Sequence, residues 1–427
     1  MIVFLFKYLH QLIRYNVLII IMMLLYSTQS NAAQDTLKIL FVGNSFTYNF
    51  DLPGLFDSLA KNAGYPVVIA QHTPGGVSVG DTSQGTMAHM NNPEVFSMIR
   101  SNNWDYLLLQ DNQGRFVHDY GVFPASSLVI EGHIRIRDSL LFHHPCAHML
   151  WFAGFGPKAG YPPYANTGSG LIDKIYNNYR FLLDTAGQVI APLGPAWQKI
   201  IANNTSINLW DVDDTHPGLA GSYLNACVVY ATVFKQSPIL SSFNPGISAM
   251  EDSILKTTAW QTTIDSIYVT GLKQITPEIS QIDAVAFVWG SFDTCYWYRN
   301  DTLVYIGNSL FIPVDGPYYA ITKDNNGCTF RTLTSNLSNI NSVNELTQKD
   351  VVSRIFPNPA NDVLNIFAPS NNTRIRLMNS IGQSVFEEHL PSSSTKINCS
   401  SWPAGAYIIC FITDEKQILY RKLIIVR

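Results

Sequence analysis

A run of apolar residues near position 40 gives way abruptly to polar residues, and a helical pattern follows. Residues 39–42 have the length and composition of a buried parallel strand, and Gly43 ends the run before Asn44 and Ser45. Asp51 suits the N-cap of the next helix and Gly64 suits its end. Helical spacing places five apolar residues on one face of that helix: Leu52, Leu55, Phe56, Leu59 and Ala63.

Further apolar runs alternate with polar loops and with stretches of helical spacing. This alternation predicts an α/β fold, in which a parallel five-stranded sheet carries helices on both faces. The loops after the strands then converge on one edge of the sheet, where such folds bind their ligands. The remaining strands are expected at 66–70, 104–110, 148–152 and 188–191, and helices at 171–183, from 219 onward and around 250–267.

The composition changes after about residue 276, where short β-rich segments are separated by turn residues. Segments near 284–289, 295–298, 310–312 and 318–322 have the spacing of a small β-sandwich. A polar stretch rich in Asn and Ser then predicts a linker. The last block, with alternation at 373–377, predicts a second small all-β sandwich. The division expected is 1–32, 34–272, 275–335, 336–350 and 351–427.

The first 32 residues have the pattern of a secretory signal peptide. Lys7 and Arg14 precede an apolar run at 17–26, and Ser30 and Ala32 frame a small-residue cleavage site. The continuous run is shorter than the ~18 residues that a membrane span needs. We therefore expect a cleaved signal and no transmembrane segment in the mature chain; an uncleaved anchor is the alternative.

The length, the net charge and the spacing of the cysteines exclude several classes of protein. A chain of 427 residues suggests two to four domains, and a net charge of −4 gives no basic footprint for a nucleic acid partner. No C-x-x-C occurs, and no His/Asp/Glu cluster has metal-ligand spacing, so we expect neither a metal nor another cofactor. Export permits disulfides. With two of the six cysteines in each of three regions, pairing within regions is favoured.

Residues suited to nucleophilic catalysis fall in loops at the predicted edge of the sheet. Ser45 would attack a substrate, His216 would take its proton, and Asp213 would hold the imidazole. Asp211 and Asp214 compete for the last role, and spacing disfavours them only weakly. An oxyanion needs preorganised donors, which the N–H groups of Ser45 and Gly76 and the amide of Asn112 could supply.

The same residues resemble the motifs of the SGNH (GDSL-type) hydrolase superfamily across roughly residues 35–270. Gly43-Asn44-Ser45 stands where that family has Gly-Asp-Ser, and Gly76 stands at its second motif. Gln110-Asp111-Asn112 is similar to the third motif, which usually reads Gly-x-Asn, and Asp213-x-x-His216 to the last. The resemblance implies a serine hydrolase in which Ser45, Asp213 and His216 are catalytic. It also implies an oxyanion hole formed by Ser45, Gly76 and Asn112.

A rival nucleophile is Ser78, because residues 76–80 spell G-x-S-x-G. That motif marks the nucleophile elbow of α/β-hydrolases, which needs a strand directly before the serine and a helix directly after it. Residues 72–75 separate Ser78 from the preceding strand, and no helical stripe follows. The sequence therefore favours Ser45.

The two β-rich blocks resemble known modules. The middle block is similar to bacterial immunoglobulin-like modules at 296–300, 316–319 and 326–328. The C-terminal block resembles the sorting domain of the type IX secretion system at 357–360, 381–383, 403–407 and 422–425. This second resemblance implies export across both membranes and makes the type IX machinery a partner.

These observations predict a secreted or cell-surface serine esterase that works through a Ser-His-Asp triad and an acyl-enzyme. The substrate expected is a small-molecule or polysaccharide ester, with O-acetyl groups on a polysaccharide suggested by family analogy and export. A lipase or thioesterase of the same fold is one alternative. A surface glycan-binding protein with an impaired site is another.

Overall fold

The structure is a computed structural model. It describes residues 36–123, 128–203, 206–282, 284–288, 290, 292–339, 353–368, 371, 373–379, 384–390, 392–412 and 418–426. The predicted signal peptide and most of the predicted linker lie outside these residues. Within the described chain, no helix is both long enough and apolar enough to cross a membrane.

The first five strands form one parallel sheet in the order β2-β1-β3-β4-β5. They are β1 (Leu37–Val42), β2 (Val67–His72), β3 (Tyr106–Leu109), β4 (His148–Phe152) and β5 (Val189–Ala191). Val42 pairs in register with His72 on one side and Leu109 on the other, so the carboxyl ends of the strands meet at one edge. In α/β folds with this strand order, ligands bind where the order of the strands reverses, which is between β1 and β3.

Helices cover both faces of this sheet. Successive side chains of a strand point to opposite faces, so Ile39 and Phe41 enter one core while Leu40 and Val42 enter the other. Burial on both faces explains why β1 is continuously apolar. The predicted fold class is confirmed. The helices are α1 (Ser45–Tyr48), α2 (Leu52–Asn62), α3 (Pro93–Arg100), α4 (Val129–His143), α5 (Gly168–Ala186), α6 (Leu193–Asn203), α7 (Leu219–Phe234) and α8 (Ala249–Asp265).

The middle region is a small antiparallel sandwich around Trp297, which is fully buried between two sheets. Its last strand begins at Ser335 and pairs with the strand Gly316–Lys323, so the predicted linker starts too early. The strands are β6 (Ile279–Ile282), β7 (Val285–Val288), β8 (Thr294–Arg299), β9 (Thr302–Ile306), β10 (Ser309–Phe311), β11 (Gly316–Lys323), β12 (Thr329–Arg331) and β13 (Ser335–Leu337).

The C-terminal region is a second antiparallel sandwich. Sheets β14-β15-β18 and β17-β16-β19-β20 enclose a core that includes Leu364, Leu377 and Phe411. The strands are β14 (Arg354–Phe356), β15 (Val363–Phe367), β16 (Arg374–Asn379), β17 (Ser384–His389), β18 (Ser394–Asn398), β19 (Gly405–Ile412) and β20 (Ile418–Ile425).

The middle sandwich is joined to the α/β region by a disulfide between Cys146 and Cys328. This pairing crosses two regions, and the expectation of pairing within regions is wrong. Packing explains the difference, because the two regions share an interface. There the guanidinium of Arg331 lies 3.5 Å from the ring centre of Tyr319 and 5.8 Å from that of Tyr65. The other four cysteines are buried and form no disulfide within the described part of the chain: Cys227, Cys295, Cys399 and Cys410.

Candidate active site

Ser45 is the first residue of α1, a helix of four residues that follows β1 and that the sequence analysis did not predict. Asn44 caps this helix, since its Oδ1 accepts a hydrogen bond from the N–H of Phe46 at 3.1 Å. The cap reverses the chain directly after β1 and leaves the Ser45 side chain partly exposed at the edge of the sheet. The N–H of Ser45 belongs to the first helical turn, where amides have no intrahelical acceptor.

His216 connects Ser45 to a carboxylate. Its Nε2 lies 2.9 Å from Ser45 Oγ, and its Nδ1 lies 2.5 Å from Asp213 Oδ2. The loop that carries both residues is closed on itself, because the N–H of Asp211 donates to the carbonyl of His216 at 2.9 Å. The ring of Phe46 lies 5.3 Å from the imidazole and limits its movement. These contacts form a continuous hydrogen-bonded relay.

Asp213 and Asp214, which are neighbours in this loop, have different surroundings. Asp213 Oδ1 accepts the N–H groups of Thr215 and His216, both at 2.9 Å. Two hydrogen bonds from His216 lower the pKa of Asp213 to about 2, and the bond from its side chain has a larger effect than the bond from its backbone. Asp214 instead has left-handed backbone, with φ +52°, and its carboxylate is 3.4 Å from Lys158 Nζ. Asp213 is thus the aspartate that the loop directs at His216.

Two side chains hold together the loops around Ser45. The segment between β1 and α2, residues 43–51, is called the Ser45 turn. The Nδ2 of Asn44 donates to the carbonyl of Val77 at 2.8 Å. The buried carboxyl of Asp111 accepts the N–H of Val79 at 2.8 Å and that of Asn112 at 2.7 Å. Asn44 therefore connects the residues after β1 to the loop that carries Gly76. These bonds hold the loops of Gly76 and Asn112 beside the carboxyl end of β1.

Local structure sets the positions of two candidate oxyanion donors, Asn112 and Gly76. Asn112 Oδ1 accepts the N–H of Gly114 at 3.0 Å, which leaves its Nδ2 to donate elsewhere. Gly76 has φ +71°, and a Cβ there would meet no atom within 4 Å. The left-handed backbone conformation at this position therefore favours glycine.

Sequence reasoning missed two residues that hold the Ser45 turn. Gln110 is fully buried, and its Oε1 accepts the N–H of Asn44 at 2.7 Å and the hydroxyl of Thr47 at 3.0 Å. The sequence marked Gln110 only as a departure from the family's glycine. His89 Nε2 lies 2.9 Å from the carbonyl oxygen of Gly43, which can accept a hydrogen bond from its N–H. No local signal connects residues so distant in the chain.

The rival Ser78 lacks the surroundings of a nucleophile elbow. Its side chain is 1% exposed, and β2 ends six residues before it, at His72. The next helical element is the 3-10 helix Thr82–Met87. A buried serine that neither follows a strand nor begins a helix cannot present its hydroxyl to a substrate.

Residues 354–426 match the family described as the secretion system C-terminal sorting domain. The predicted sorting domain is therefore confirmed, and the protein is secreted or displayed at the cell surface. Among curated proteins, none matches this sequence.

Several solved structures resemble the N-terminal part of the chain. A DUF4886 family protein from Bacteroides uniformis is 15% identical, with a TM-score of 0.46, and the match covers 56% of this chain and 99% of that one. The acetyl xylan esterase AlAXEase is 17% identical, with a TM-score of 0.36 and coverage of 46% and 100%. A carbohydrate esterase family 3 protein from Talaromyces cellulolyticus is 11% identical, with a TM-score of 0.33 and coverage of 49% and 100%. At such low similarity, the chemistry of this chain must be argued from its own residues.

Proposed function

We propose that the protein is a secreted serine esterase with Ser45 as its nucleophile. The observation that carries this proposal is the relay from Ser45 through His216 to Asp213, with contacts of 2.9 and 2.5 Å. These are hydrogen-bonding distances for a nucleophile, its base and the group that orients the base. The intact relay favours catalysis over the alternative of an impaired glycan-binding protein.

In the first half of the reaction, Ser45 Oγ attacks the ester carbonyl while His216 Nε2 takes the hydroxyl proton. The ionised Asp213 keeps the proton on Nδ1 and stabilises the imidazolium that forms. Charge develops on the carbonyl oxygen, where the N–H groups of Ser45 and Gly76 and the Nδ2 of Asn112 would donate hydrogen bonds. His216 then protonates the departing alcohol, which leaves an acyl group on Ser45.

In the second half, water replaces the alcohol. His216 Nε2 removes a proton from the water as it attacks the acyl carbonyl, and the same donors stabilise the second oxyanion. Collapse of this intermediate breaks the bond to Ser45 Oγ, which takes back its proton from His216. The products are a free acid and a restored serine. A secreted ester hydrolase of this kind acts on esters outside the cell, including those of polysaccharides or lipids.

The proposal is tested by comparing two serines in the full mature chain. Hydrolysis of p-nitrophenyl esters from acetate to octanoate is measured for the wild type, Ser45→Ala and Ser78→Ala. Ser45→Ala should lower kcat by at least about 10³-fold, because the triad acts as a unit. Ser78→Ala is the matched control and should keep most activity, since the Ser78 hydroxyl has no hydrogen-bond partner among the described residues. An active Ser45→Ala with a dead Ser78→Ala would refute the proposal.

A further inference from the structure

A cavity of about 210 Å³ opens beside the candidate active site. It touches Phe46, Asn112 and Thr215, which adjoin or form part of the three catalytic loops. Its far wall is apolar and comes from the loop after β3 and from the start of α5. The residues of this wall are Val117, Leu171 and Ile175, which are at most 1% exposed.

The chemistry of the wall indicates which part of an ester the cavity accepts. If the sugar part of an ester occupied this space, its hydroxyl groups would be buried against Val117, Leu171 and Ile175. A buried hydroxyl group without a hydrogen bond is costly. A hydrocarbon chain has no such groups to satisfy. The carbonyl oxygen would still lie near Asn112, since that residue lines the same cavity. In an ester of a sugar or of another polyol, the apolar part is the acyl chain.

The size of the cavity indicates how long the acyl chain of the ester is. A methyl group is roughly as large as one water molecule, whose share of liquid volume is about 30 Å³, and would leave most of 210 Å³ unfilled. A cavity of about 150 Å³ is known to hold benzene. A space of this size therefore suits an acyl group of about six to eight carbons.

We propose that this cavity is the acyl-binding site and that the enzyme prefers such medium-length acyl groups to acetyl. The inference rests on the proposed function, and it differs from the O-acetyl substrate suggested by family analogy. Each methylene buried in the cavity should raise kcat/KM by up to about fourfold. Hexanoyl esters should therefore exceed acetyl esters by at least about tenfold.

The wild-type mature chain is tested with p-nitrophenyl acetate, butyrate, hexanoate and octanoate. The expected result is a maximum of kcat/KM at hexanoate or octanoate. A maximum at acetate would overturn the inference and leave the esterase proposal intact. Absence of turnover with every ester would contradict the esterase proposal, and the inference with it.

A variant that fills the cavity distinguishes an acyl-binding site from a general preference of the enzyme for hydrophobic esters. Val117→Phe should lower the hexanoate-to-acetate ratio of kcat/KM by about tenfold or more. Val95→Phe is the matched control, because Val95 is equally buried in the same core but lies on α3, outside the cavity lining. It should leave the ratio unchanged.

A second variant covers the case in which Val117→Phe does not fold. Tyr161 lines the cavity and is 50% exposed, so Tyr161→Ala should widen the cavity without disturbing the core. This variant should raise the octanoate-to-hexanoate ratio of kcat/KM by about threefold or more. A hexanoate-to-acetate ratio that changes equally in Val117→Phe and Val95→Phe would overturn the inference. So would an octanoate-to-hexanoate ratio that Tyr161→Ala does not raise.

Discussion

Asp211, Asp213 and Asp214 lie in one loop, and the backbone conformation of that loop decides which carboxylate faces His216. Spacing alone did not separate them, although the family resemblance favoured Asp213. The structure places the Asp213 carboxylate 2.5 Å from His216, while Asp214 turns to Lys158. Such a choice depends on backbone angles, including the left-handed conformation of Asp214, that a sequence does not display.

Replacing the aspartates one at a time should give one severe loss. Asp213→Asn removes the charge that stabilises the imidazolium and offers an amide that favours the wrong tautomer, so kcat should fall by about 10³–10⁴. Asp214→Asn is the control and should stay within about threefold of wild type, because asparagine tolerates its φ of +52°. Steady-state kinetics with p-nitrophenyl hexanoate measure both. Equal losses in the two variants would remove Asp213 from the relay.

His89 should make the protein sensitive to acid. Burial lowers the pKa of His89 to about 3, so the folded protein keeps this imidazole neutral. The unfolded chain binds a proton there below its ordinary pKa of 6.5. Between pH 6.5 and 3 the unfolded state thus holds more protons, and stability falls as pH falls. The cost at pH 5 is about 2 kcal/mol.

The check is urea unfolding at pH 7.5 and pH 5 for the wild type and His89→Gln. The glutamine amide can still donate to the carbonyl of Gly43 but does not titrate. The variant should lose about 2 kcal/mol less than the wild type over this pH range. An identical loss in both proteins would show that His89 does not titrate as its burial implies.

Among the elements, those with a regular hydrophobic period or a long apolar run were predicted, and four helices were not. β4 was found with its observed ends, and α2, α5 and α7 with small errors. α6 was hidden because it contains Gly194 and Pro195, which usually break helices. In the structure Pro195 lies in the first turn, where a missing N–H costs nothing. α1, α3 and α4 were also missed. α1 has only four residues and α3 only eight, and α4 buries His133 among its apolar side chains.

Gln110 links the end of β3 to the β1–α1 turn, so its loss should affect both stability and catalysis. Gln110→Ala leaves the N–H of Asn44 and the hydroxyl of Thr47 without their acceptor, which should cost about 1–3 kcal/mol. The melting temperature and kcat should both fall as Ser45 loses its position. Gln71→Ala, an exposed glutamine on β2, is the control and should change neither. A Gln110→Ala protein with normal kcat would show that the turn holds its shape alone.

At the scale of the whole molecule, composition revealed three regions, but not how they meet. The sorting domain and the α/β region were both recognisable from local patterns. The disulfide was not, because Cys146 and Cys328 are 182 residues apart and meet only through the packing of two regions. The middle sandwich is therefore attached to the α/β region, and a fragment ending near residue 272 would lack this bond.

Removing the disulfide should lower stability without changing the chemistry of the site. In Cys146→Ser/Cys328→Ser the unfolding free energy should fall by about 2–5 kcal/mol, because a long loop is no longer closed. The kcat at 25 °C should remain close to wild type. Dithiothreitol should lower the melting temperature of the wild type but not of the double variant. Equal sensitivity of both proteins to dithiothreitol would show that this pair does not form.

The central claim, that Ser45 is the nucleophile, can be tested by covalent labelling. The mature protein is treated with a fluorophosphonate, digested, and mapped by mass spectrometry, with His216→Ala treated in parallel. The phosphonyl group should be found on the peptide containing Ser45, and His216→Ala should label far more slowly because the serine loses its base. Labelling at Ser78, or labelling of Ser45 at the same rate without His216, would contradict the proposed mechanism.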